Sequence, residues 1–203
     1  MPRLLLATNN RGKVTEYRAL LADCGWEIVT PNEIGLGLEV EESGVDYVTN
    51  AKMKAQAFAQ ASGLLSLADD SGLEIDALGG RPGPLSARYA GDAADDEGRV
   101  RKVLAEMKGV EPARRRARFR CVIALAEPSG EVHFAEGVVE GVIAEEPRGK
   151  SGFGYDPLFL VPEYGRTLAE LPLSEKNAVS HRGRAARKAC AILKAMLGEQ
   201  RND

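Results

Sequence analysis

Leu4-Leu5-Leu6-Ala7-Thr8-Asn9-Asn10-Arg11-Gly12-Lys13 passes from an uninterrupted apolar run into a polar turn. The run has the length of a buried strand. Beyond Gly12 the period changes: Val14, Tyr17, Leu20 and Leu21 recur at helical spacing until Gly25 stops them. A strand-loop-helix unit at this point predicts an α/β fold. Further on, Ile28-Val29 is expected as a second short strand, Glu39 to Gly44 as an acidic loop, and Asp46 to Ala61 as an Ala-rich helix capped by Gly63. Leu64 to Ala68 then closes a β-α-β alternation and delivers Asp69-Asp70-Ser71-Gly72 where it ends. Ligands of open α/β sheets gather outside the carboxyl ends of strands, so the Thr8–Lys13 turn and the aspartate pair are expected on one rim.

The second half reads less regularly. Gly79-Gly80-Arg81-Pro82-Gly83-Pro84 predicts a shaped loop, and Val100, Val103, Leu104 and Met107 mark a helix after it. Arg118 to Ala126 and Val132 to Val139, separated by Pro128-Ser129-Gly130, predict a hairpin. Gly141-Val142-Ile143 and Leu158 to Val161 are expected as further strands, and Glu175 to Leu197 as one long C-terminal helix.

With 203 residues, 44% of them hydrophobic, the chain can bury a substantial core and is expected as one domain with a subdomain. A formal charge of −3 with scattered basic residues gives no field that would favour a nucleic-acid backbone or an anionic membrane. No apolar stretch approaches the ~20 residues of a membrane span. Cys24, Cys121 and Cys190 are odd in number and widely spaced, which predicts neither a disulfide framework nor a zinc site, and points to reducing cytoplasm. His133 and His181 lack metal-ligand spacing, which leaves carboxylates to hold a hard cation such as magnesium.

Three stretches could carry chemistry together. Thr8, Asn9, Asn10, Arg11, Gly12 and Lys13 place amide and ammonium donors at a helix N-terminus, which suits an anion, although an Asn-capped βα turn has the same sequence. Asp69 and Asp70 would face opposite sides if the strand ran on through them. One would then face the core edge and the other the cleft, where a carboxylate near bound magnesium could either ligate the ion or orient and deprotonate water, with Glu41 and Glu42 as further ligands. Strand alternation would put Phe153 and Tyr155 on one side of Gly154, positioned to stack on a base with Asp156 reading its edge. Lys176, His181 and Arg182 need not share a face.

Six motifs in order, Thr8-x-Asn10-x-x-Lys13, Asn50-Ala51-x-x-Lys54-Ala55, Ala68 to Leu73, Gly79-Gly80-x-Pro82-Gly83 with Ser86-Ala87-Arg88-Tyr89, Phe153 to Pro157, and Ser180-His181-Arg182, resemble the inosine triphosphate pyrophosphatase family, also called the Ham1 family. The resemblance spans nearly the whole chain. It implies an α/β fold with a mixed, strongly twisted central sheet, flanking helices and two lobes around a cleft, the second lobe at roughly residues 115–165 of a single 1–203 domain. It also implies magnesium-dependent cleavage of dITP, ITP and XTP between the first and second phosphates, by a homodimer. Carried over by residue, Thr8 to Lys13 hold phosphate and sugar, Asp70 is the proton acceptor and a metal ligand with Glu41, and Ser71 contacts substrate. Phe153, Gly154, Tyr155 and Asp156 enclose the base, and Lys176, His181 and Arg182 complete recognition of base or phosphate.

Leu85 departs from the aromatic that many relatives carry before Ser86, and the adjacent Glu41-Glu42 leaves the second ligand uncertain by one residue. A Maf-type nucleotide pyrophosphatase is the nearest rival enzyme, opposed by the Phe153–Pro157 and Ser180–Arg182 motifs. A non-catalytic nucleotide sensor is the rival from another class, opposed by Asp70 and its acidic neighbours.

Overall fold

The structure is a computed structural model that describes residues 1–41, 46–91 and 93–199. In chain order its main elements are β1 (Arg3–Leu6), α1 (Arg11–Leu20), β2 (Glu27–Val29), α2 (Tyr47–Ser62), β3 (Leu65–Ile75), α3 (Asp96–Glu106), β4 (Arg116–Ala126), β5 (Val132–Ile143), β6 (Phe159–Val161), β7 (Arg166–Thr167), α4 (Leu173–Val179) and α5 (His181–Glu199). The strands form one seven-stranded sheet in the order β2-β1-β3-β4-β5-β6-β7. It is mixed, as expected: β1 pairs in parallel with β2 and β3, while β5–β6 and β6–β7 are antiparallel.

The chain divides into two compact units. The first comprises Met1–Asp70, Cys121–Gly137 and Gly183–Asp203. Its sheet is covered on both faces, so β1 is apolar at every buried position. Leu4 and Leu6 pack with Tyr17 and Leu21 of the α1 region, Cys121 and Ile123 of β4, and Ala185, Ala189 and Leu193 of α5. Leu5 turns to the opposite layer, with Ala51, Ala55, Phe58 and Ala59 of α2 and Val122 and Ala124 of β4. The small Ala face of α2 lets that helix approach the sheet closely, and Gly63 ends it in a left-handed cap whose amide donates to the Ala59 carbonyl.

The second unit comprises Ser71–Arg120 and Val138–Arg182. Val100 and Val103 of α3, with Met107 just beyond it, pack on Leu73, Ile75, Ala117, Phe119, Val139 and Phe159. Gly141 lies in β5 where β6 pairs with it. A Cβ there would lie 2.5 Å from the Leu160 carbonyl oxygen and 2.6 Å from the Phe159 ring, so only glycine fits the approach.

Four features correct the sequence reading. β3 runs on to Ile75, so Asp69 and Asp70 lie inside the strand and not at its end. Gly141 to Ile143 continues β5 and is not a separate strand. The expected Glu175–Leu197 helix is two helices, because Ser180 adopts an extended conformation (φ −67°, ψ 159°) between α4 and α5. Cys24 and Cys190, 166 residues apart, form a disulfide, while Cys121 is buried and in no disulfide. Among the described residues no helix is long and apolar enough to cross a membrane.

Candidate active site

In the first unit the β1–α1 turn is built around Asn10. Its side chain accepts from the Lys13 amide at 3.1 Å and so caps α1, while the Asn10 amide donates to Thr8 Oγ1 at 3.2 Å. Capping leaves the Arg11 and Gly12 amides, the first two of the helix, with no acceptor inside α1. These two N–H groups at the positive end of the helix dipole suit an anion. A cavity of about 340 Å³ adjoins the turn, lined by Thr8, Asn9, Arg11, Arg18 and Glu33 among others. At its far side Glu33 is held down to about 2, chiefly by the Arg18 guanidinium and next by the Thr30 amide.

Lys13 reaches from α1 to β3, where its Nζ donates to Asp69 Oδ1 at 2.8 Å. The Asp69 side chain is only 1% exposed, so its charge is paid for by this pairing, and the ammonium is held at a fixed height beside the turn. Asp70 faces the other way. Its Oδ2 accepts from Asn50 Nδ2 of α2 at 2.9 Å, and both residues are buried. The two aspartates therefore meet different elements: Asp69 takes the Lys13 ammonium of α1 and lies near Cys121, while Asp70 takes the Asn50 amide of α2. Glu41 is described and exposed, whereas Glu42 lies outside the described residues.

The second unit holds Ser71, Phe153, Gly154, Tyr155, Asp156, Lys176, His181 and Arg182. Lys176 Nζ donates to Asp156 Oδ2 at 2.5 Å, with both side chains at 5% exposure or less. The same carboxylate oxygen accepts the Phe153 amide at 2.9 Å. Gly152 makes room for it, since a Cβ there would meet that oxygen at 2.1 Å. Lys176 Nζ lies 5.0 Å from the Phe153 ring centroid and Arg182 Cζ 5.3 Å, so α4 and α5 both bring a cation to this ring. Arg182 also points Nη2 at Ser71 Oγ, 3.4 Å away. His181 is buried and stacks on Phe119, centroids 4.6 Å apart.

Tyr155 does not join Phe153, because this segment is a turn with Gly154 at φ +63° and strand alternation does not apply. Tyr155 packs in the core of its unit and donates its hydroxyl to the Ser86 carbonyl at 2.8 Å, and burial pushes its phenol up. Three contributors escaped the site residues named from sequence: Asn50, which holds Asp70; Asp69, which holds Lys13; and Asp96, which accepts from the Gly154 amide. The Asn50 motif and the Asp95-Asp96 pair opening α3 were visible, but a motif gives no partner. A separate cluster, Glu127, Glu131 and His133 around the β4–β5 turn, places three ligand-type atoms within 4.8 Å of one another and includes none of the expected metal ligands.

A capped helix N-terminus beside two buried carboxylates, on the parallel part of a mixed α/β sheet, is an arrangement suited to handling phosphate. The Ham1 family model matches residues 4–192, and the chain belongs to that family. It is 54% identical over 198 residues to a dITP/XTP pyrophosphatase of Desulforamulus reducens, covering 98% of each chain. It is 50% identical to the dITP/XTP pyrophosphatase of Bacillus subtilis, over 96% of this chain and 98% of that one. The solved HAM1 protein of Coxiella burnetii superposes with a TM-score of 0.87 at 45% identity, covering 96% of this chain and all of that one.

Proposed function

We propose that this chain is a nucleoside triphosphate diphosphatase that hydrolyses dITP, ITP and XTP to the monophosphate and pyrophosphate, clearing deaminated purines from the nucleotide pool. The observation that carries the reading is Asp70, a buried carboxylate aimed by Asn50, on the strand whose preceding residue anchors Lys13. In this reading Thr8 to Lys13 hold the phosphates and sugar through the helix amides and the Lys13 ammonium. Asp70 accepts the proton of the attacking water as the bond between the first and second phosphates breaks. Ser71 contacts the substrate.

Asp70 and Glu41 are both carboxylates, the oxygen donors that magnesium takes, and they are the residues assigned to hold it. Magnesium, when bound, neutralises phosphate charge. The aiming of Asp70 and the seating of Lys13 are supplied by the chain itself.

Phe153 to Asp156, Lys176, His181 and Arg182 are assigned to the base. Hypoxanthine and xanthine carry a 6-keto acceptor, which a donor such as Arg182 satisfies. The adenine amino group would leave donor facing donor, at about 1–3 kcal/mol or roughly 5- to 150-fold per contact. The enzyme is assigned as a homodimer, on the resemblance in sequence. Pyrophosphate release with magnesium from dITP, XTP, dATP, dGTP, dCTP and dTTP tests the reading. Strong preference for dITP and XTP supports it. Preference for a pyrimidine nucleotide, or nucleotide binding without turnover, overturns it.

A further inference from the structure

Gly154 donates its amide to Asp96 Oδ2 at 2.7 Å. Asp96 lies in the first turn of α3, 58 residues earlier in the chain, and nothing in the proposed reaction uses it. The bond bears on Phe153 because the Phe153–Gly154 peptide is a rigid plane. One edge of that plane is its N–H, held by Asp96; the other is the Phe153 carbonyl, which accepts from the Asp156 amide at 3.3 Å. Fixing both edges fixes ψ of Phe153 and φ of Gly154. Glycine at φ +63° tolerates other conformations at little cost, so without an external hold the plane can flip and carry the ring with it.

Asp96 is itself well placed to hold. Its other oxygen, Oδ1, is ion-paired with Arg99 Nη2, and Arg99 Nη1 donates to the carbonyls of Ala94 at 2.6 Å and Ala87 at 3.0 Å. The carboxylate also sits at the favourable end of the α3 dipole. Tyr155, the next residue of the turn, is tied to the same neighbourhood through Ser86.

We propose that Asp96 is a positioning residue for the base: it locks the Phe153–Gly154 peptide so that the Phe153 ring, flanked by Lys176 and Arg182, presents one fixed face to a purine. This rests on the assignment of Phe153 to the base. It predicts a defect in base binding with pyrophosphate binding and chemistry spared.

The test measures four quantities in the full-length wild type, Asp96→Ala and Asp96→Asn. These are steady-state kinetics with dITP, calorimetric affinities for IMP and for pyrophosphate, hydrogen exchange of the Gly154 amide, and thermal midpoint. Asp96→Ala should expose the Gly154 amide to exchange, raise KM for dITP and weaken IMP by about 5- to 20-fold. Its kcat, pyrophosphate affinity and midpoint should stay near wild type. Asp96→Asn retains an oxygen acceptor and should recover most of the loss.

Unchanged KM and IMP affinity in Asp96→Ala would overturn the inference, as would equal loss of IMP and pyrophosphate binding. If Asp96→Ala does not fold, Asp96→Thr, too short to reach Gly154, takes its place. Failure of the wild type to bind IMP and hydrolyse dITP would instead overturn the functional assignment.

Discussion

Removing the ammonium of Lys176 should destabilise the protein more than any loss of a surface charge. In Lys176→Met the Asp156 carboxylate, 5% exposed, loses an ion pair of 2.5 Å and keeps the Phe153 amide. Breaking a buried pair by deleting one partner costs about 3–5 kcal/mol. The retained amide bond places this case near the lower end, at about 3 kcal/mol. For a chain of this size each kcal/mol lowers Tm by about 2–4 °C, so the expected fall is about 6–12 °C. Asp156→Asn should cost less, because the ammonium keeps the Phe153 ring at 5.0 Å. The double variant removes both charges and should recover at least half of the Lys176→Met loss. Differential scanning calorimetry on the four proteins supplies the cycle. A fall of less than 2 °C in Lys176→Met, or a double variant as unstable as the sum of the singles, would refute the argument that the charge left behind is what destabilises.

Asp70→Asn should lower turnover of dITP by about 10²- to 10⁴-fold while nucleotide affinity survives; initial rates beside calorimetric binding check this, and undiminished hydrolysis removes Asp70 from the chemistry. Glu33 gives the acid behaviour. Its folded carboxyl sits at about 2, against 4.5 ordinarily, through Arg18 and Thr30. It binds its proton less tightly folded than unfolded, so its contribution is complete above about pH 4.5 and is lost as the pH falls towards 2. Urea midpoints across that window should fall less steeply in Glu33→Gln than in wild type. The Cys24–Cys190 disulfide closes a span of 166 residues, for which the loop-entropy estimate gives about 5 kcal/mol. Reductant should lower Tm to the value of Cys190→Ser and leave that variant unaffected.

What the sequence disclosed was local. The change of period at Gly12, the glycine cap at Gly63 and the Pro128-Ser129-Gly130 turn each act within a few residues, and the elements they bound are present. What it concealed depends on distant partners. β3 continues through two aspartates because Lys13 and Asn50 compensate their burial. The Ser180 break was hidden because helical apolar spacing runs on both sides of it and no Gly or Pro marks it. The disulfide and the Asp96–Gly154 bond join residues 166 and 58 positions apart, beyond any local pattern. The same limit applied in the candidate site, where residue types were legible and the pairings that give Asp69 and Asp70 different characters were not.

The alternation of β3 makes those characters a matter of parity. Asp69 and Asp70 are chemically identical and adjacent, and only odd or even position along the strand assigns one to the ammonium of Lys13 and the other to the amide of Asn50. A one-residue slip of this strand would turn each aspartate to the face the other now occupies, leaving one of the two positions without a carboxylate, and would turn Leu67 out of its layer as well.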